Sequence, residues 1–317
     1  MTLFISNKDV AQLLGMSECV GVLEEAFTHW GDGSGTNHPR TRIRLPGGFL
    51  HYMAAAAPEM GLLGLRAYTT FGGRGQSMFM LFDSESGELL SLMESALMST
   101  IRTGAASGLA TKYMAREDAS TVGIIGCGGQ AAAQLEAVCT VRAIRHVRVF
   151  SRTGEKREAF ACKMRASLGI DVAPVESGEE CVRDMDVIIT ITGSREPVLN
   201  GEWLADGAHV NAAGSNHWIR REIDDRGLKR FHTIVVDDLE QARKECGELI
   251  WACERGGLSW DRVHELRAVV SGRLKGRPRD SAITLFESQG LAIEDLAAAK
   301  LVYTKALDQC KGQEMPF

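Results

Sequence analysis

The chain has 317 residues, 44% of them apolar and 24% charged, with a net charge of −5. That length exceeds one ordinary core and predicts two lobes. Its scattered basic residues exclude nucleic acid or an anionic membrane as the main partner, since both demand a concentrated basic surface.

Apolar stretches are short and interrupted, so no membrane-spanning helix is expected. The opening "MTLFISNKDV" lacks the basic region and long apolar core of a secretory leader, and a cytoplasmic protein is predicted. Val10, Leu13, Leu14, Val20, Val22, Leu23 and Phe27 recur near helical spacing, which predicts a helical opening from Asn7 to about Trp30, stopped by "GDGSG". Between Pro39 and Asp83, "RTRIRL", "FLHYMAAA", "LGLRAYTTF" and "SMFMLFD" predict strands of a mostly antiparallel sheet. Residues 94–115 are rich in small side chains and predict a long helix closed by "REDAS".

After Ser120 the rhythm changes. The runs "VGIIG", "VRVFS", "DVIITIT", "AHVNAAG", "TIVVDD" and "AITLF" lack alternation, and helical stretches fill several of the gaps between them. Strands buried on both faces of a doubly wound parallel sheet read this way. "IEDLAAAKLVYTKALDQC" predicts a last helix. The eight cysteines form no C-x-x-C pair and lie near no histidine cluster, so neither a metal site nor disulfides are expected.

One turn carries chemistry. In "TVGIIGCGGQAAAQLEAV" the pattern Gly126-x-Gly128-x-x-Ala131 follows a predicted strand and opens a predicted helix, the context of the dinucleotide fingerprint. Gly126 makes the turn, Gly128 clears room for a pyrophosphate, and Ala131 lets helix and strand pack closely. Gly129 and Gln130 complete the loop at the helix N-terminus, where free N–H groups favour an anion. The next strand ends in Ser151, Arg152 and Thr153 with Lys156 beyond, and it has no acid to hold a ribose hydroxyl. NADP(H) is therefore the expected cofactor, with NAD(H) the alternative.

Set beside "IRTGAASGLATKYMAR" and "SAITLFESQGLAIEDLAAA", the glycine turn makes the chain resemble the ornithine cyclodeaminase and mu-crystallin family, from about Phe4 to Leu307. The resemblance implies an α/β fold: a Rossmann NAD(P)-binding domain at 118–290, and a second α+β substrate and dimerisation domain from 1–117 and 291–317. It also implies a homodimer and a small imino or amino acid as substrate.

Substrates of such enzymes carry a carboxylate, which a guanidinium grips with two parallel hydrogen bonds. By resemblance Arg102 takes that role and Arg40 is a second ligand. Arg42 and Arg44 share the strand face of Arg40 by alternation, and any of the three can serve. Arg66 stands where the family has a substrate-contacting lysine, and Asn216 where the cyclodeaminase has its catalytic aspartate. Neither can act as a base, which disfavours cyclodeamination.

Position at strand ends adds further cofactor contacts: Thr192, Gly193, Ser194, Asn211, Gly214, Asp237, Ser288 and Gly290. Thr103 follows Arg102 and is expected near the nicotinamide. His51 or His217 can supply an acid. These features point to an NADP(H)-dependent reductase of a cyclic imino acid. A cyclodeaminase holding NAD and a non-catalytic NADP-dependent binding protein are the alternatives.

Overall fold

A computed structural model of the chain describes residues 2–316. The chain divides into two compact units, one running up to Arg102 and resuming at Gly290, the other spanning Thr103–Gln289. The sequence texture suggested residues 117 and 118 as the boundary; the units divide earlier, inside a helix.

The first unit opens with β1 (Thr2–Ile5), α1 (Asn7–Leu13) and α2 (Met16–Gly31). The single opening helix expected from periodicity is thus two helices behind a strand. Ser6 accepts from the Asp9 N–H while the Asp9 carboxylate accepts from the Ser6 N–H, a capping box that starts α1. Leu14 and Gly15 take extended backbone and separate the two helices.

Then follow β2 (Thr36–Leu45), β3 (Gly48–Ala57), β4 (Leu62–Phe71), β5 (Ser77–Asp83), β6 (Leu89–Glu94) and α3 (Ala96–Met114), whose last twelve residues belong to the second unit. That second unit continues through β7 (Thr121–Ile125), α4 (Ala131–Val141), β8 (His146–Phe150), α5 (Gly154–Leu168), β9 (Asp171–Pro174), α6 (Gly178–Val182) and β10 (Val187–Thr190). Next come β11 (His209–Ala212), α7 (Asp225–Arg230), β12 (Thr233–Val236), α8 (Leu239–Glu245), α9 (Gly247–Glu254), β13 (Val263–Glu265), α10 (Leu266–Val270) and β14 (Thr284–Glu287). The chain then returns to the first unit with α11 (Ala292–Asp308) and β15 (Gln313–Met315).

In the first unit a seven-stranded sheet runs β15-β1-β6-β5-β4-β3-β2, antiparallel except where β1 lies along β6. Met53, Phe79, Leu81 and Met93 on its inner face are fully buried. Helix α11 packs against β3, β4 and α2, and Leu296, Ala297 and Ala299 are buried with them. Its row of alanines lets backbone and sheet approach closely.

The second unit is an eight-stranded sheet, β13-β12-β14-β11-β10-β7-β8-β9, with every pair parallel. The unbroken apolar runs arise because both faces are covered. Val187 and Ile189 join one core with Val122, Ile124 and Leu135, while Ile188 joins the other with Val210, Ile234 and Leu285.

Asp186 ties the entry to β7 and β10. Its carboxylate accepts from Arg116 and from the N–H groups of Ser120 (2.9 Å) and Thr121 (3.1 Å). Asp186→Ala strands those donors and is expected to cost about 1–3 kcal/mol, read as a lower denaturant midpoint with unchanged slope.

Candidate active site

The turn after β7 is built from glycine for two different reasons. Gly126 has φ +116° and a Cβ there would lie 2.4 Å from the Ile191 carbonyl, so only glycine fits. At Gly128 and Gly129 an added Cβ would meet no protein atom within 4 Å. Packing does not require glycine at either place; room for a bound group does.

That room belongs to a cavity of about 440 Å³ whose lining includes Gly126, Gly128, Ser151, Arg152, Thr153, Lys156, Thr192, Gly193 and Ser194. Gln130 is the N-cap of α4, and Ala131 is fully buried against β7's core. The Gln130 Oε1 and Ser288 Oγ atoms are buried with no hydrogen-bond partner among the described residues. Open glycine backbone at a helix N-terminus suits the phosphates of a dinucleotide.

Other residues assigned from strand ends do different work. Asn211 is fully buried, donating to Thr111 Oγ1 (2.8 Å) and meeting His209 Nε2 (3.2 Å). Gly214 presses on the Thr192 backbone, where a Cβ would come within 2.3 Å. Asp237 is fully buried and its carboxylate accepts from the N–H groups of Asp238 (2.9 Å) and Gln289 (2.6 Å). The Thr103 carbonyl accepts from Gln134 of α4 (3.2 Å). Asn216 and His217 lie half-buried in the loop after β11, where His217 stacks on Trp218.

Arg40, Arg66 and Arg102 come together in the first unit, along with Gly290. A bulge between His38 and Thr41 breaks the alternation of β2. Arg40 consequently turns inward, 7% exposed, while Arg42 is half-buried and Arg44 exposed. Past the bulge Arg42 pairs with His51 and Arg44 with Phe49 in unbroken register, so these two share a strand face, along which exposure rises from Arg40 to Arg44. Arg40 donates to the Gly290 carbonyl (2.9 Å), and Gly290, at φ +78°, would drive a Cβ to 2.6 Å from an Arg102 nitrogen.

Arg102 is 2% exposed. It donates to Asp295 Oδ1 (2.8 Å) and Glu294 Oε2 (2.6 Å), both carboxylates fully buried at the start of α11. Burial alone would lower its pKa, but Asp295 and Glu294 outweigh that and raise it. Arg66 reaches Asp295 (3.5 Å), donates to Ser77 Oγ (3.1 Å) and lies over the Tyr68 ring at 4.6 Å. Burial, with Arg102 and Arg40 adding, lowers its pKa against the pull of Asp295. Three guanidiniums therefore face two carboxylates, and the cluster is less positive than three arginines alone would make it.

His51 stacks on Tyr68 at 4.4 Å and meets Thr70 Oγ1 at 2.9 Å. Burial and the charges of Arg42, Arg40 and Arg66 push its pKa down to about 4. It is a neutral imidazole near pH 7, in keeping with an ordinary polar contact.

Glu294 and Asp295 had no role in the sequence reading, although "IEDLAAA" displayed them. Arg220 was missed as well. Its guanidinium lies 3.5 Å from the Cβ position of Gly193, at the cavity edge, carried by a loop without periodicity. Glu222 is a third. Its carboxylate accepts from the N–H groups of Thr192 (2.6 Å) and Gly214 (2.9 Å) and from the Thr190 hydroxyl (3.0 Å), so it shapes the cavity wall from beneath.

Removing Arg102 leaves two buried acids without their cation, so Arg102→Ala is expected to lose about 3–5 kcal/mol of stability, measured by chemical denaturation. Burial first, then Glu248, raises Glu222 from its ordinary 4.5 to about 7. Its protonated form is favoured by folding. That contribution is whole below about pH 4.5 and is lost as pH rises through about 7. Denaturation midpoints are expected to fall across that window, and Glu222→Gln to flatten the fall.

The profile of the ornithine cyclodeaminase/mu-crystallin family matches residues 1–310. A Delta(1)-pyrroline-2-carboxylate reductase of Bacillus cereus is 37% identical over 273 residues, covering 84% of each chain. The Thermococcus litoralis Delta(1)-pyrroline-2-carboxylate reductase, solved with NADH and L-proline, superposes with a TM-score of 0.95 at 36% identity, covering 99% of this chain and all of that one. An archaeal alanine dehydrogenase dimer with bound NAD gives a TM-score of 0.94 at 35% identity over 100% and 99% of the two chains. With whole-length agreement in sequence and fold, this chain belongs to the ornithine cyclodeaminase/mu-crystallin family.

Proposed function

We propose that the protein is an NAD(P)H-dependent reductase that converts a cyclic imino acid, pyrroline-2-carboxylate or piperideine-2-carboxylate, to the L-amino acid. The observation that carries this reading is the cluster of Arg40, Arg66 and Arg102 around Glu294 and Asp295. With both acids ionised its surplus is one positive charge, which matches one carboxylate. The pyrroline-2-carboxylate reductases among its relatives support the same substrate class.

A bound nicotinamide supplies the hydride. The chain's own task is positional: the guanidiniums of Arg40 and Arg66 hold the carboxylate and thereby fix the adjacent C=N carbon, and alignment is a large part of such a barrier. The imine enters protonated. As hydride reaches its carbon the C=N electron pair moves to a nitrogen that already bears its proton, so no acid of the chain takes part. This suits a site with arginine at position 66, a neutral His51, and Asn216 in place of an aspartate.

NADP(H) is the preferred cofactor in this reading. Ser151, Arg152, Thr153 and Lys156 line one wall of the cavity, and none of the three residues directly after β8 is an acid that would repel a 2′-phosphate. The functional assembly is a homodimer. On the outer face of the first unit's sheet Ile43 and Leu63 are exposed and Tyr52, Leu65, Met80 and Phe82 half-buried, an apolar surface of the kind that pairs. Eight free cysteines and dinucleotide dependence suit the cytoplasm.

Loss of NADPH absorbance is expected with a cyclic imino acid and not with ornithine. Silence on every imine despite NADPH binding would sink the reading. Arg152→Ala is expected to raise the KM for NADPH about 10–100-fold and to leave that for NADH nearly unchanged.

A further inference from the structure

The second unit holds another cavity, of about 730 Å³, which the proposed reaction does not use. Residues leading into β7, β8, β11 and β14 line it, so it lies at the amino ends of the parallel strands, opposite the nucleotide cradle at their carboxyl ends.

Two guanidiniums form its base. Arg142 donates to the carbonyls of Arg116 (2.7 Å), Lys112 (2.9 Å), Ala115 (3.0 Å) and Thr111 (3.1 Å). Arg277, 9% exposed, donates to the carbonyls of Met114 (2.8 Å) and Asp280 (3.0 Å) and to Thr284 Oγ1 (3.3 Å). Every one of these acceptors is a neutral oxygen. The C-terminal end of α3 supplies about half a negative charge, which leaves most of two full cations uncompensated.

The surrounding acids do not close the gap. Arg116 meets Asp118 and Asp186 with one charge against two, and Arg230 meets Asp206. Glu117 and Asp280 are left to face Arg142 and Arg277 together with Lys275 and Arg279, which are exposed at the rim. Burial first, then the charges of Arg116 and Arg142, push the Arg277 guanidinium down to about 10 against the pull of Asp280 and Asp118.

We propose that this cleft binds a small phosphorylated anion. Arg142 and Arg277 attract it by charge, their N–H groups being committed to carbonyls, while Lys275 and Arg279 supply the direct hydrogen bonds. The volume falls within the range of about 300–1,000 Å³ typical of small-molecule sites. Because Arg142 and Arg277 hold the last turn of α3, occupancy also steadies that helix end.

The test is calorimetric titration of inorganic pyrophosphate, at constant ionic strength, into protein already saturated with dinucleotide so that the cradle is filled. A saturable single-site isotherm is expected, weakened about tenfold or more by Lys275→Glu/Arg279→Glu and unchanged by Arg152→Ala in the cradle. Both reversed positions are exposed, and an unchanged denaturation midpoint verifies that the double variant is folded. No saturable heat, equal binding by the double variant, or loss of binding in Arg152→Ala overturns the proposal.

Discussion

A single buried guanidinium organises the first unit. Arg102 cannot be hydrated, so its charge has to be met by protein, and Asp295 and Glu294 at the first turn of α11 do this. The N-terminal end of a helix favours those acids in turn. Everything near them inherits the constraint. Gly290 has no side chain because Arg102 occupies that space, its carbonyl is thereby presented to Arg40, and Asp295 is shared with Arg66. The three arginines are one electrostatic unit whose charge is set by two buried acids.

The second unit separates charge along its strands. Glu222, Glu248, Glu287 and Asp237 are buried near the carboxyl ends, beneath and beside the cradle, whereas Arg142 and Arg277 sit at the amino ends. Each group is satisfied differently. Glu222 takes donors from the Thr192 and Gly214 backbone and so holds the cavity wall, while the two arginines hold the end of α3. The same sheet thus presents open glycine backbone at one end and surplus cation at the other.

Six of the eight strands of the second unit were legible because burial on both faces writes itself as unbroken apolar runs, and "VGIIG" before Gly126 needed no tertiary information; the edge strands β9 and β13, four and three residues long, were not. The division of the opening helix was not, since Leu14 continues the apolar rhythm while its backbone is extended. β1 and β15 were invisible too, at four and three residues long. In the site, Arg40 and Arg102 were legible as motif residues. Their surroundings were not: alternation gives the face that Arg42 and Arg44 share, but neither the bulge before them nor the burial that singles out Arg40. Arg102 and Asp295 lie 193 positions apart, a separation at which spacing says nothing about pairing.

The return of the chain at Gly290 also orders events in time. The second unit is one uninterrupted stretch, Thr103–Gln289, and can close around its own sheet as soon as it has been synthesised. The first unit begins earlier yet finishes last: until α11 emerges, the inner face of β3 and β4 lacks its cover and Arg102 its counterions. During synthesis the N-terminal sheet therefore waits, apolar face open, for the final segment of the chain, and that interval is when the protein is most exposed to aggregation and to chaperones.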